Sequence, residues 1–285
     1  MKQLIYSAEI SVTTMTKTKQ NYDLTKDEDY YSNGASWLWM GVSQYKDFMK
    51  CEAAALAKLK QDWQPTSDPQ ALLVGNYVHS YFESKEAHEE FKENNSDKLF
   101  KKNGDLYKAF EVADDMIKRL DEWPLFKFLW QGKHEVPVTG ELYGAEWKGK
   151  IDCLNVDKGY FVDIKTTADI HKRFYSKKYA GWTNFAQEYG YALQMGVYQE
   201  LLKMQYGKEF KGYILAVSKQ DPPEVAAIEF RENDIEFEMH YLKLNIERIE
   251  QVKSGEIEPT PCGTCEYCRG HYNPEAFVFA DELID

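Results

Sequence analysis

An α+β fold with a mixed central sheet flanked by helices is predicted, and three observations predict it. Helical periodicity dominates the stretch from Ser36 to Leu120. The period shortens to that of strands between His134 and Lys165. Helix, strands and helix then follow one another up to Lys253. The 285 residues suit one large domain with a helical annex, and chains of this size remove most of their apolar surface from water.

In chain order, residues 1–35 are polar and mixed, with room for a short strand near the start and an arm after it. From Ser36 a helical pattern carries Trp37, Trp39, Tyr45, Phe48 and Met49 as far as Cys51 and the alanine-rich stretch beyond. A turn over 65–69 offers Ser67 or Asp68 as N-cap, with Pro69 in the first turn of the next helix. That helix covers 71–90 and carries His79, and another covers 106–120. Three strands are read as HEVPVT, YGAEWKGKIDCLNV and YFVDIKTT, parted by turn signals at Thr139-Gly140 and Asp157-Lys158-Gly159. A long helix over 184–204, strands GYILAVS and VAAIEF, and a helix over 233–253 follow. The expected divisions are an arm or strand at 1–35, a helical region at 36–130 with Cys51 and His79, a core at 131–255 and a cysteine tail at 256–285. Together they make one compact domain.

Acidic residues outnumber basic ones, 47 to 35, for a net charge of −12. This argues mildly against non-specific nucleic-acid binding. Phosphate contacts, however, need only a local basic surface, and a bound divalent ion supplies positive charge that the count omits. No apolar run is long enough to span a membrane. The opening MKQLIYSAEISVTT has no signal-peptide core, so a cytoplasmic location is expected. Five cysteines, an odd number, read in a reducing compartment as metal ligands rather than disulfides.

The strongest signal is GKIDCLNVDKGYFVDIKTT. Side chains two apart on a strand share a face, so Asp163 and Lys165 project together, and a hairpin partner strand can set Asp152 beside them. Two carboxylates suit a hard divalent cation such as Mg²⁺. Such an ion polarises a phosphate and acidifies a bound water, and an adjacent ammonium can orient that water and stabilise developing charge. The Ile164 carbonyl can add a ligand. The competing reading is a surface ion pair on a hairpin, but the apolar neighbours Tyr160, Phe161, Val162 and Ile164 place these charges in a core strand, where they are costly unless used.

Asp152 followed by Asp163-Ile164-Lys165 resembles the PD-(D/E)xK nuclease superfamily, whose restriction-endonuclease-like core matches the predicted fold class. Within it the chain resembles RecB/RecE-type phage and prophage exonucleases. VGNYVHSYFES places His79 on an N-terminal helix, and YALQMGVYQE matches a Gln-x3-Tyr helix motif with Gln194 and Tyr198. The resemblance spans roughly residues 36 to 270 by motif order. One departure is Asp163, where glutamate is commoner. The resemblance implies catalytic roles for Asp152, Asp163 and Lys165. It implies a further metal ligand at His79 and an acidic one upstream of Asp152, with Glu135 preferred and Glu146 second. Read alone, His79 is more often a core histidine, and for Glu135 a solvated strand residue is a nearly equal alternative.

Gln187, Tyr191, Gln194 and Tyr198 fall on one helical face, opposite Ala192, Leu193, Gly196, Val197 and Leu201. That polar-aromatic stripe suits phosphate and base contacts, or else marks a core edge. HKRFYSKKY adds a basic patch with interleaved aromatics: His171, Lys172, Arg173, Lys177 and Lys178 with Phe174, Tyr175 and Tyr179. Cys262, Cys265 and Cys268, joined by the distant Cys51, make four thiolates that suit a [4Fe–4S] cluster or a structural Zn²⁺. Iron–sulfur nucleases of the RecB-type group are similar but have a longer gap before the last cysteine. Cys153, alternating with Asp152, should face the core as a small hydrophobe.

The expectation is therefore a Mg²⁺- or Mn²⁺-dependent deoxyribonuclease. The resemblance implies an exonuclease that resects duplex DNA ends for recombination, with a single-strand annealing protein as partner and self-association into a homo-oligomer. The alternatives are a structure- or site-specific endonuclease on the same fold, and a non-catalytic DNA-binding scaffold held by a cysteine-bound metal.

Overall fold

The computed structural model describes residues 19–66, 70–271, 273 and 276–280. A five-stranded mixed sheet runs in the order β1-β2-β3-β6-β7. Its strands are β1 (Lys133–Leu142), β2 (Ala145–Asn155), β3 (Tyr160–Thr167), β6 (Lys211–Ser218) and β7 (Val225–Ile228). Between β3 and β6 a separate hairpin pairs β4 (Arg173–Ser176) with β5 (Gly181–Asn184). Among the five strands of this sheet, only β3 and β6 pair in parallel. The helices, in order, are α1 (Asp27–Tyr30), α2 (Asn33–Leu38), α3 (Val42–Lys50), α4 (Glu52–Leu59), α5 (Gln70–Glu83), α6 (Lys85–Asn94), α7 (Ser96–Leu99), α8 (Lys108–Asp121), α9 (Pro124–Leu129), α10 (Phe185–Glu188), α11 (Tyr191–Tyr206), α12 (Glu232–Ser254) and α13 (Glu266–His271).

The sheet has a core on each side. Alternate residues of β3 and β6 supply both: Phe161, Ile214 and Ala216 join the core that contains Leu193, Val197 and Leu201 of α11. Val162, Ile164, Leu215 and Val217 join the core beneath α5 and α8. A strand buried on both faces reads as a near-continuous apolar run, which is why YFVDIKTT and GYILAVS look the way they do. The α8 stripe Phe110, Ala113, Ile117 and Leu120 is fully helical in spacing and buried. Outside α11, α12 forms a third layer through Met239, Leu242, Ile246, Ile249 and Val252.

Several predicted boundaries move, each for a local reason. The single helix expected from Ser36 is three: the chain turns extended at Trp39, and Met40 bridges Trp147 of β2, with Met40 N–H donating to the Glu146 carbonyl at 2.7 Å. The 71–90 helix ends at Glu83, because the Ser84 hydroxyl caps a new one by accepting from Ala87 N–H at 3.0 Å. The proposed Ser67 or Asp68 cap and Pro69 lie outside the described residues. The first hairpin turns at Tyr143-Gly144, both at positive φ (55° and 82°), as a two-residue connection requires. Thr139 and Gly140 are instead inside β1, where a Cβ on Gly140 would come within 3.0 Å of Leu201 and 2.9 Å of Met204. The turn at Asp157 to Gly159 stands where predicted, with Gly159 at φ 70°. The long helix over 184–204 breaks at Gly190, which takes φ 65° and separates α10 from α11. Finally, residues 19–35 are no free arm: Tyr30 and Ala35 are buried. The strand expected near the start falls outside the described residues.

Candidate active site

Three adjacent strands set three carboxylates in one row. The β1–β2 register puts His134 opposite Cys153 and Val136 opposite Ile151, so Glu135 stands across from Asp152. The β2–β3 ladder pairs Cys153 with Val162 and stops there, so Asp152 stands across from Asp163 at the point where the two strands part. In that fork Asp152 Oδ2 accepts the Ile164 N–H at 2.8 Å, taking the place of a ladder carbonyl. Glu135 takes a left-handed φ of 50°, a backbone state that costs about 1–2 kcal/mol for a residue with a Cβ and that gathers at functional sites.

Helices on either side complete the cluster. From α5, His79 Nδ1 lies 3.2 Å from Asp152 Oδ2. One ligating atom from each of His79, Glu135 and Asp152 lies within 4.8 Å of the others. Asp163 lies outside that trio. Its Oδ1 accepts from Gln194 Nε2 of α11 at 2.5 Å, and its other oxygen pairs with Lys165. The Lys165 ammonium lies 5.1 Å from the centre of the Tyr191 ring, within cation–π reach. Tyr198 packs against β2, and the close approach needs Gly149: a Cβ there would stand 2.5 Å from the ring. Side-chain exposure falls from 27% at His79 and 20% at Glu135 to 12% at Asp152 and 2% at Asp163. The site therefore opens on the His79–Glu135 side and is closed behind Asp163.

The electrostatics are those of crowded anions interleaved with the cations of Lys165, Lys150 and His79. Burial, and then the Asp152 charge, push the Asp163 carboxyl up to about 6. The same two causes push Glu135 up to about 7. Asp152 is raised by burial, but His79 and Lys165 outweigh this and hold it below the ordinary carboxylate range. Burial lowers His79 and Lys165, yet their carboxylate neighbours outweigh it and hold both above their usual values. Carboxylates that compete this strongly are relieved by a divalent cation. An oxygen-rich donor set with one imidazole fits Mg²⁺ or Mn²⁺.

Of the other residues singled out from sequence, Gln187 does not join the stripe. It sits on α10, before the Gly190 break, and closes a capping box with Asn184. Tyr191, Gln194 and Tyr198 do share a face of α11, and it is turned into the site; the opposite face is equally buried, with Gly196 pressed against Met239 and Ile235 of α12. Glu146 is remote, paired with Lys19. Ile164 is buried, with its N–H committed to Asp152. Cys153 is buried on the α5–α8 side, as its alternation requires.

The basic patch becomes the β4–β5 hairpin. Lys178 is committed to Glu238 at 2.5 Å, and His171 faces Glu224 at 2.9 Å, so neither is an open cation. Lys172 covers the Phe174 ring at 5.2 Å, and the Arg173 guanidinium covers Trp182 at 5.0 Å. Tyr175 and Trp182 meet edge to face at 5.9 Å, and both are about two-thirds exposed. Rings lead from this hairpin to the cluster: Phe174 to Tyr189 at 5.9 Å, Tyr189 to Tyr191 at 6.0 Å, then Lys165.

Sequence reasoning missed Lys148, Lys150 and Tyr30. Lys150 Nζ lies 3.3 Å from Glu135 and also pairs with Asp27, while Lys148 donates to the Tyr30 carbonyl. Alternation of Lys148, Lys150 and Asp152 along β2 was the available signal.

The family described as a PDDEXK-like domain of unknown function (DUF3799) matches residues 41–271. A crystal structure of a "putative exonuclease" from Eubacterium rectale is similar at 33% identity and a TM-score of 0.83, covering 91% of this chain and 97% of that one. A crystal structure described as SSO0001 shares 15% identity at a TM-score of 0.31, over 78% of this chain and 96% of that one, and is too distant to carry an argument. No curated protein matches. Among the described residues no helix is long and apolar enough to cross a membrane.

Proposed function

Because the chain belongs to the PDDEXK-like domain family DUF3799, a nuclease family by its core, we propose that it is a metal-dependent deoxyribonuclease acting on the ends of duplex DNA. The observation that carries this reading is the fork itself: Glu135, Asp152 and Asp163 in one row, with His79 and Lys165 beside them. The Eubacterium rectale protein's description as a "putative exonuclease" supports the choice of ends over internal sites.

His79, Glu135 and Asp152 would hold a Mg²⁺ or Mn²⁺ ion, with Asp163 behind them. When bound, that ion supplies a polarised phosphate and an acidified water. Lys165, charged and fixed by Asp163 and Tyr191, orients the attacking water and stabilises charge developing on phosphate oxygens. Gln194 holds Asp163 in place. Lys172 and Arg173, with the exposed Tyr175 and Trp182, offer one DNA strand cations and rings beside the cluster. The RecB/RecE-type resemblance extends the proposal to resection that feeds a single-strand annealing protein, and to self-association.

The test compares the wild-type protein and Lys165→Ala on linear and closed circular duplex DNA with Mg²⁺. Linear DNA should be degraded and circles left intact. Lys165→Ala should lose roughly 10²–10³-fold in turnover while retaining DNA binding. Cleavage of closed circles would favour the endonuclease reading. Equal activity of the two proteins would overturn the role of Lys165.

A further inference from the structure

Four thiols from the two ends of the described chain meet away from the carboxylate cluster. Cys51 sits at the elbow between α3 and α4, ending one helix and starting the next. Cys262 and Cys265 lie on the loop before α13, and Cys268 lies on α13 itself. Their sulfurs all fall within 4.8 Å of one another, with Cys51 to Cys268 at 3.6 Å and Cys262 to Cys268 at 3.9 Å. All four are free thiols, and these separations are far beyond the roughly 2 Å of a disulfide bond.

We propose that Cys51, Cys262, Cys265 and Cys268 bind one four-coordinate zinc ion, and that the site is too small for a [4Fe–4S] cluster. The argument is one of size. With Zn–S bonds of about 2.3 Å, a regular tetrahedron sets its sulfurs about 3.8 Å apart. A cubane carries its four cysteines on the outer corners of a cluster, which sets those sulfurs roughly 6 Å apart. The 3.6 and 3.9 Å pairs match the single ion, and the 4.8 Å bound on every pair is shorter than the cluster needs.

The protein fixes that spacing from both sides. Before the first tail cysteine, Arg248 grips Glu52 with two hydrogen bonds of 2.7 and 2.9 Å, and Thr260 N–H donates to the same carboxylate at 2.8 Å. Within α13, Glu266 accepts from Thr66 N–H at 3.0 Å and the Tyr267 ring packs on Trp63 at 5.5 Å. Backbone N–H groups also point at sulfur: Cys262 N to Cys51 Sγ at 3.4 Å, Cys265 N to Cys262 Sγ at 3.3 Å, and Cys268 N to Cys265 Sγ at 3.5 Å. Such donors stabilise thiolates and orient them toward a metal. The ion fastens the tail to the α3–α4 elbow, closing a loop of more than 200 residues. This is a structural role, in which all four positions are filled by protein.

The experiment measures metal content of the full chain purified without oxygen from cells supplied with both iron and zinc. One zinc per chain is expected, with no acid-labile sulfide and no broad visible absorption. A Cys262→Ser/Cys265→Ser variant should lose that zinc, whereas His79→Ala should keep it, which separates the thiol site from the carboxylate cluster whether or not the protein cuts DNA. Cobalt exchanged into the wild-type protein should give the intense charge-transfer spectrum of tetrahedral thiolate ligation, a readout that stands even if the serine variant fails to fold. Four irons with four sulfides per chain, a single iron, or a metal-free chain would each overturn the proposal.

Discussion

Asp152 accepts the Ile164 N–H at 2.8 Å at the step where β2 and β3 cease to pair. One side chain thus continues the ladder where the backbone abandons it. The fork and the carboxylate are a single feature: the strands can part because Asp152 satisfies the N–H that parting would strand in the core.

That double role separates two substitutions. Asp152→Asn keeps an oxygen that can accept from Ile164 and loses the charge, whereas Asp152→Ala loses both. Both variants should be inactive on DNA, since neither can complete the cation site. The alanine variant should be less stable than the asparagine one by about 1–3 kcal/mol, the cost of a buried donor left without a partner. Urea midpoints of the two proteins measure the difference. Equal stability would mean that the hydrogen bond does not hold the fork.

Gln194 reaches Asp163 at 2.5 Å from α11 and is 9% exposed. It touches no part of the opening, so its influence passes through Asp163. Gln194→Leu removes the donor, and burial then drives Asp163 further toward its neutral form. A neutral Asp163 withdraws negative charge from behind the ion held by His79, Glu135 and Asp152, so Mg²⁺ affinity should fall roughly 10-fold, with turnover largely recovered at saturating Mg²⁺. Activity titrated against Mg²⁺ concentration distinguishes this from direct substrate contact, which no amount of metal would rescue.

What the sequence conveys about this site depends on distance along the chain. Asp163 and Lys165 are legible because strand alternation is a property of the backbone and needs no partner. Cys153 is legible for the same reason. The same alternation puts Lys148 and Lys150 on the face of Asp152 but does not show what holds them, because the Tyr30 carbonyl and Asp27 lie 118 and 123 residues away. Helical spacing alone puts Gln187 on one face with Tyr191, Gln194 and Tyr198. Only the left-handed φ of Gly190 ends the helix there, and a glycine inside a helical pattern does not by itself announce that it will break. The first hairpin turn was sought at Thr139-Gly140 on composition. That glycine serves close packing against α11 instead.

The hairpin gives a prediction of a different kind. Tyr175 and Trp182 are exposed aromatic neighbours beside Arg173, and base stacking on such rings is worth about 1–3 kcal/mol per base. Trp182→Ala should weaken binding of single-stranded DNA by roughly 10-fold or more, raise the DNA concentration needed for half-maximal rate, and leave the rate at saturation near that of the wild-type protein. Fluorescence anisotropy with a labelled oligonucleotide, run beside steady-state kinetics, checks both. An unchanged affinity would remove the hairpin from the DNA path.

Lys148 supplies a test in pH. Its side chain is buried beneath Tyr30, with its ammonium 4.7 Å from the ring centre, Lys150 over the same ring and Lys253 as a repelling charge. Burial, then Lys253, lowers its pKa from 10.5 to about 8. A base with a depressed folded-state pKa binds fewer protons folded than unfolded between those values, so its penalty is full below pH 8 and fades as pH rises toward 10.5. Lys148→Met removes the charge and keeps the length of the side chain, at the loss of the hydrogen bond to the Tyr30 carbonyl. The stability of the methionine variant relative to the wild-type protein should therefore be higher at pH 7 than at pH 9.5, by about 1–2 kcal/mol. Urea unfolding of both proteins at the two pH values measures this, and comparing the pair cancels the other titrating groups. A difference that grows with pH instead would show that the ammonium is stabilised where it lies, and that the Tyr30 carbonyl and ring outweigh the burial.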